Sequence, residues 1–270
     1  QSDLRGAQEG ASFVLRFTPR NCRATPQVGG RLYVMGDSHA MHYQRSYTQL
    51  ARHHGLETRV WANGGCAYLG MLPPAPHCEA QVRQALAQLG QEMVAGDVLF
   101  LSSLRILRMV DQWAVFRSPA QAVLDMSDAA IAQARARQVE LAVAELAPLA
   151  AQGVRIVLPA PTPMFASVAY RCADWFNRGN PICAQGDTVP REQALAMRQP
   201  VLQALREVAA RVPGATVWDP FDTLCPPGGP CRTQLPGGPV VFDGDHLSGH
   251  ANELLWPALA TQLRGVGLLR

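Results

Sequence analysis

The chain has 270 residues, 48% hydrophobic and 17% charged, a balance that fits a globular protein and excludes a largely disordered one. Its 24 basic residues are all arginine, set against 21 acidic ones for a net charge of +3. They are scattered, so no basic stripe points to nucleic acid. No window approaches the run of about 18 apolar residues that a membrane-spanning helix requires.

Residues 1–30 read as an irregular linker or lead-in, with Gly29-Gly30 just before the first apolar run. The opening QSDLRGAQEG has neither an initiating Met nor a signal-peptide profile. It is expected to be the cut edge of a longer protein or the start of a mature product. A β-α alternation begins at Arg31. The expected strands are RLYVMG (31–36), ETRVWAN (57–63), VLFLSS (98–103), VRIVLPAP (154–161) and ATVWDP (215–220). Between them, helical spacing predicts helices at about 40–54 (Gly55 as C-cap), 78–93, 120–151 (closed by Gly153) and 190–211. Pro200 lies inside the last of these and is expected to kink or break it. A terminal helix follows the turn FDGDHLSGH.

Nearly continuous apolar strands separated by helices call for a mostly parallel five-stranded sheet covered on both faces. The fold class is therefore α/β in three layers, α/β/α, as one domain over 31–270. In such sheets ligands bind outside the carboxyl ends of the strands. The polar residues that end these strands collect there: Ser38, then Asn63-Gly64-Gly65, then Ser102-Ser103.

Six of the seven cysteines form close sequence pairs: Cys66 with Cys78, Cys172 with Cys183, and Cys225 with Cys231. Each pair brackets a loop rich in Pro, Gly or Asn, and closing such a loop removes unfolded-state entropy. No tight CxxC knuckle suggests zinc. The reading is three disulfides formed in an oxidising compartment such as the bacterial periplasm. Cys22 is left over.

The first strand stops on Gly36-Asp37-Ser38-His39. A serine hydroxyl becomes nucleophilic when a base removes its proton and a carboxylate holds that base in the right tautomer. His39 directly follows the serine, so its side chain is expected to point away. His246 is the better base, because Asp243 lies three residues before it and an Asp-x-x-His turn returns the carboxylate to Nδ1 of the same ring. Each motif alone is ordinary turn chemistry, and Asp245 or Ser248 would serve simply to cap the terminal helix. A metal site built from Asp243, Asp245, His246 and His250 rests on proximity only, and no metal is expected.

The blocks GDSHA and DGDHLSGHANELL resemble the first and fifth blocks of the SGNH (GDSL-like) hydrolase superfamily, over a compatible β-α order from roughly 30 to 265. They are most similar to the SGNH domain fused to the C-terminus of acyltransferase-3 membrane proteins, and the loop RCADWFNRGNPIC is similar to that subgroup. The resemblance implies a flavodoxin-like SGNH fold with Ser38 as nucleophile, His246 as general base and Asp243 as its orienter. It also implies an oxyanion hole formed by the serine N–H, a glycine N–H after the second strand and an Asn after the third. Gly65, or its neighbour Gly64 beside Asn63, suits the second position. The third departs from the pattern, because LFLSSLRIL offers only Ser102, Ser103 and Arg105. Losing one such donor costs ~2.7–4 kcal/mol of transition-state stabilisation.

The activity so implied is O-acyl transfer, with acetyl as the expected group, through an acyl-serine onto a sugar hydroxyl of a surface polysaccharide such as lipopolysaccharide O-antigen. The expected partners are a glycan acceptor and an N-terminal acyltransferase-3 membrane domain. No cofactor is expected in this domain, and acetyl-CoA is the ultimate acyl donor. The expected location is the periplasmic face of the bacterial inner membrane. Rival readings are a carbohydrate esterase with the same triad, a catalytically weak glycan-binding domain, and an α/β-hydrolase. The α/β-hydrolase fits poorly, because its serine elbow usually lies mid-chain with the acid and His well separated.

Overall fold

The computed structural model describes residues 2–9, 12–19, 30–110, 117–172, 174–177, 179–181, 183 and 187–270. The five apolar runs become strands, but the chain reaches the sheet earlier than its sequence pattern predicts. Strand β1 (Ser2–Glu9) pairs antiparallel with β2 (Ser12–Pro19), and β2 pairs antiparallel with β4 (Thr58–Ala62) beyond β3 (Leu32–Gly36). The irregular lead-in expected over 1–30 is corrected to this hairpin for the residues described. The hairpin stays on the sheet because Val14 and Phe17 of β2 are buried in the core. Cys22 lies outside the described residues.

The remaining strands are β5 (Val98–Leu101), β6 (Arg155–Pro159) and β7 (Ala215–Trp218). The sheet order is β1-β2-β4-β3-β5-β6-β7, so a parallel five-stranded sheet carries an antiparallel hairpin on one edge. Its central strands are buried on both sides: Tyr33, Val34, Met35, Leu99, Phe100, Ile156, Val157 and Leu158 all lie in the core. Among the parallel strands the order β4-β3-β5-β6-β7 reverses direction at β3, which puts a topological switch point between the ends of β3 and β5.

Six longer helices cover the faces: α1 (Gln44–His54), α2 (Cys78–Glu92), α3 (Pro119–Met126), α4 (Ala129–Ala151), α5 (Arg191–Arg211) and α6 (Gly249–Gly265). α1 packs with α6, while α5 packs with α3 and α4. The helix expected at 120–151 is divided between α3 and α4, because the Asp128 side chain accepts from Ala130 N and Ile131 N and starts a new helix. α5 runs unbroken through Pro200, contrary to expectation. The proline costs about 3 kcal/mol, and burial of Met197, Val201, Leu202 and Leu205 on either side of it opposes that cost.

The three predicted disulfides are formed, Cys66–Cys78, Cys172–Cys183 and Cys225–Cys231. Among the described residues no helix is long and apolar enough to cross a membrane.

Candidate active site

The serine turn is built by close backbone approach at the switch point. A Cβ on Gly36 would fall 1.6 Å from the Ser102 carbonyl oxygen, so only glycine lets the end of β3 lie against the loop after β5. Asp37 then clamps that loop. Its carboxylate accepts His39 N–H at 2.8 Å and Leu104 N–H at 3.1 Å. Ser38 opens a 3₁₀ turn, Ser38–Met41, rather than the long helix expected from residue 40.

The opposing turn precedes α6. Val241 bridges to Leu247, and Phe242 N–H donates to His246 O at 2.7 Å. At its tip Gly244 is wedged in, since a Cβ there would meet Val110 at 2.3 Å and Phe165 O at 2.8 Å. Asp243 Oδ1 accepts the N–H groups of Asp245 (3.0 Å) and His246 (2.7 Å), which aims its other oxygen at the ring. His246 Nδ1 lies 2.8 Å from Asp243 Oδ2, and His246 Nε2 lies 2.8 Å from Ser38 Oγ. The tautomer that satisfies both contacts carries its proton on Nδ1 and leaves Nε2 free to accept from the serine. Ser248, rather than Asp245, caps α6 by accepting from Ala251 N–H.

Asp245 does something the sequence did not disclose. Its Oδ1 is 3.2 Å from His246 Nδ1, so the ring faces two carboxylates. Its Oδ2 accepts from Arg108 Nε at 2.6 Å and lies 3.4 Å from His39 Nε2. His39 is buried between the two acids, with Nδ1 3.1 Å from Asp37 Oδ1. Its ring stacks on His246 with centroids 4.6 Å apart and sits 3.9 Å from His42. Nδ1 of His39 is 3.5 Å from Ser38 Oγ, so the ring does not turn fully away as expected. That nitrogen is shared with Asp37, and His246 makes the shorter contact to the serine.

These contacts set the charges. Burial disfavours the imidazolium of His246, but hydrogen bonds and charge from Asp243 and Asp245 outweigh it and raise the pKa to about 9. Burial also opposes ionisation of Asp245, and hydrogen bonds from His246 and His39 reverse this and hold it well below the usual carboxylate range. His42 is fully buried, which pushes its pKa well down, and positive charge on the other two rings adds to that. Side-chain atoms of Asp243, Asp245 and His246 gather within 4.8 Å, whereas His250 packs against Gly237 and Gly238 and stays outside the group.

A family model described as the SGNH domain fused to AT3 domains matches residues 7–261. The chain belongs to this family. Among solved structures it is similar to the periplasmic domain of the lipopolysaccharide acetyltransferase of Salmonella ser. Paratyphi A, at 13% identity and a TM-score of 0.49, covering 88% of this chain and 85% of that one. It is also similar to Axe2, an acetylxylan esterase from Geobacillus stearothermophilus, at 13% identity and a TM-score of 0.44, covering 91% and 98%. Neither likeness is strong enough to speak to activity. No curated protein matches the sequence.

The oxyanion side of this SGNH domain differs from what the resemblance implies. Asn63 is buried at the hairpin joint, where its Oδ1 accepts from Ser12 Oγ at 2.6 Å and its N–H donates to Gly36 O. Gly64 and Gly65 are exposed, and Gly65 takes a left-handed φ of +73° beside the disulfide-held Cys66. Ser102 Oγ donates to His39 O at 2.9 Å, and Ser103 Oγ accepts Tyr68 N–H at 3.2 Å. Arg105 is corrected outright as a stand-in for the absent Asn. It is buried, and its guanidinium donates to the carbonyls of Leu69 (3.1 Å), Pro159 (2.9 Å) and Leu101. Burial lowers its pKa to about 10, and the charge of Asp37 opposes that fall. It ties together the strand ends beneath the site.

Proposed function

We propose that the domain transfers an acyl group, acetyl in the simplest case, through an acyl-serine on Ser38 to a sugar hydroxyl of a bacterial surface polysaccharide such as lipopolysaccharide O-antigen. The observation that carries this reading is the Ser38–His246–Asp243 chain, with two 2.8 Å contacts in series. Membership of a family whose SGNH domains are fused to AT3 domains supports transfer over free hydrolysis. In this reading the AT3 domain supplies the acyl group from acetyl-CoA, and the SGNH domain works at the periplasmic face of the inner membrane. Three disulfides fit that oxidising compartment.

The chemistry runs in two halves. His246 Nε2 takes the Ser38 proton as Oγ attacks the acyl carbonyl, and Asp243 stabilises the imidazolium that forms. The tetrahedral oxyanion sits toward the Ser38 and Gly65 N–H groups. His246 returns the proton to the departing group, which leaves Ser38 acylated. An acceptor hydroxyl then gives its proton to His246 and attacks the ester, and that proton returns to Ser38 Oγ as the acylated sugar departs.

The test is incubation with an activated acetyl ester and oligosaccharides, with product analysis by mass spectrometry. Acetylated sugar is the expected product. Acetate release alone, across several acceptors including the native glycan, would instead mark the domain as an esterase.

A further inference from the structure

Two adjoining hollows, the nearer reaching Asp37 next to the serine, form one groove. The nearer, of about 150 Å³, is lined by Asp37, Gly65 and Leu104 from the serine's surroundings. The farther, of about 160 Å³, is lined by Glu79, Arg83, Arg137 and Glu145. Ala67, Pro74, Cys78 and Gln138 line both, so the two are continuous.

One wall is the 66–78 loop, closed by its disulfide and tethered from beneath by Ser103 Oγ, which accepts Tyr68 N–H, and by Arg105 Nε, which donates to Leu69 O. The other is a single face of α4, where Gln138, Leu141 and Glu145 recur at helical spacing. A wall held in this way is organised before any ligand arrives, which lowers the entropic cost of binding. At the far end the Tyr68 hydroxyl is buried against the Glu145 carboxylate. Glu145 is about half buried, and that burial raises its pKa despite Tyr68 and Arg83.

We propose that this groove is the acceptor subsite and holds a neutral, hydroxyl-rich sugar chain, with the reacting hydroxyl at the Gly65 end and the following sugar residues between Tyr68–Glu145 and Arg83–Arg137. Leu69, Val82 and Leu141 add apolar surface between the four charged side chains, and a sugar ring offers both an apolar C–H face and a rim of hydroxyls. Two arginines facing two glutamates cancel in charge, so the groove favours hydroxyl groups over a carboxylate or phosphate. Planar amide, guanidinium and carboxylate groups offer the donors and acceptors that sugar hydroxyls match. The proposal rests on the transfer reading for its chemistry, but binding can be tested apart from it.

The experiment has a binding arm and a kinetic arm. In the first, saturation-transfer NMR of the intact chain with a neutral oligosaccharide is compared for wild type, Arg137→Ala and Tyr68→Phe. Saturation of the sugar by wild type, with affinity lower by about tenfold in Arg137→Ala, is expected for loss of charge-assisted hydrogen bonds. In the second arm the same variants raise the acceptor KM by a similar factor, with kcat far less affected. Unchanged affinity and KM in both variants would overturn the proposal. So would tighter binding of a uronic-acid oligosaccharide, or weakening by Phe242→Ala alone, which would move the sugar to the exposed Tyr170–Phe242 stack, rings 4.8 Å apart. A wild-type protein that binds the sugar but never forms an acyl-serine would sink the transfer reading and leave the groove standing.

Discussion

The two sides of Ser38 spend their polar groups differently. On the His246 side every group either faces the serine or supports one that does: Asp243 and Asp245 hold the ring, Arg108 holds Asp245, and two N–H groups hold Asp243. On the β5 side the side chains turn inward. Ser102, Ser103 and Arg105 bond to backbone groups of neighbouring segments. In the proposed reaction, proton transfer would fall to these preorganised side chains, and stabilisation of the developing oxyanion would be left to backbone N–H groups at Ser38 and Gly65.

The largest effects should come from the proton-transfer side. Ser38→Ala and His246→Ala are each expected to lower turnover of an activated acetyl ester by about 10⁴-fold or more, with an unchanged circular dichroism spectrum. A loss under tenfold in either would mean the catalytic chain lies elsewhere. Next come the two acids. Asp243→Ala is expected to cost about 10²–10³-fold and Asp245→Ala about tenfold, because each variant leaves one carboxylate on Nδ1. The double variant should lose more than the product of the two, a coupling that steady-state rates on all four proteins would show.

The pH profile sharpens the same contrast. His246 accepts a proton only when neutral, and its pKa is raised to about 9. The rate constant kcat/KM should therefore climb with pH, reach half its maximum near pH 9 and level off above that. Removing one carboxylate lowers that pKa, so Asp245→Asn should move the rising limb to lower pH. A limb that stays in place would detach Asp245 from the base. The smallest catalytic effects belong to the β5 side. Ser102→Ala and Ser103→Ala should change ester turnover by less than about tenfold, against the 10²–10³ of a true oxyanion donor. Arg105→Leu should show chiefly in a thermal melt, as a loss of about 2–4 kcal/mol from three unpaired buried carbonyls.

How much of this was legible in the sequence follows from how local each feature is. The five parallel strands were readable because a strand buried on both faces must be apolar throughout. The cysteine pairs were readable because their loops are short. Ser38, Asp243 and His246 were readable as a candidate group because two short motifs sit at opposite ends of a β-α series, and the fold brings the three side chains into contact. The hairpin was not, because SDLRGAQE is polar and becomes a strand only by pairing with β2. Arg108 could not be foreseen either, since it reaches Asp245 from 137 residues away. Arg105 was misread because an arginine after a strand looks like a free donor until its burial is known.

The central claim is that Ser38 carries the acyl group. Its most direct test is mass spectrometry of the intact protein and its peptides, quenched early in a reaction with 4-nitrophenyl acetate. An acetyl adduct on the Ser38 peptide, absent in Ser38→Ala and formed far more slowly in His246→Ala, is the predicted result. An adduct on another residue, or turnover of the ester with no adduct at any quench time, would contradict it.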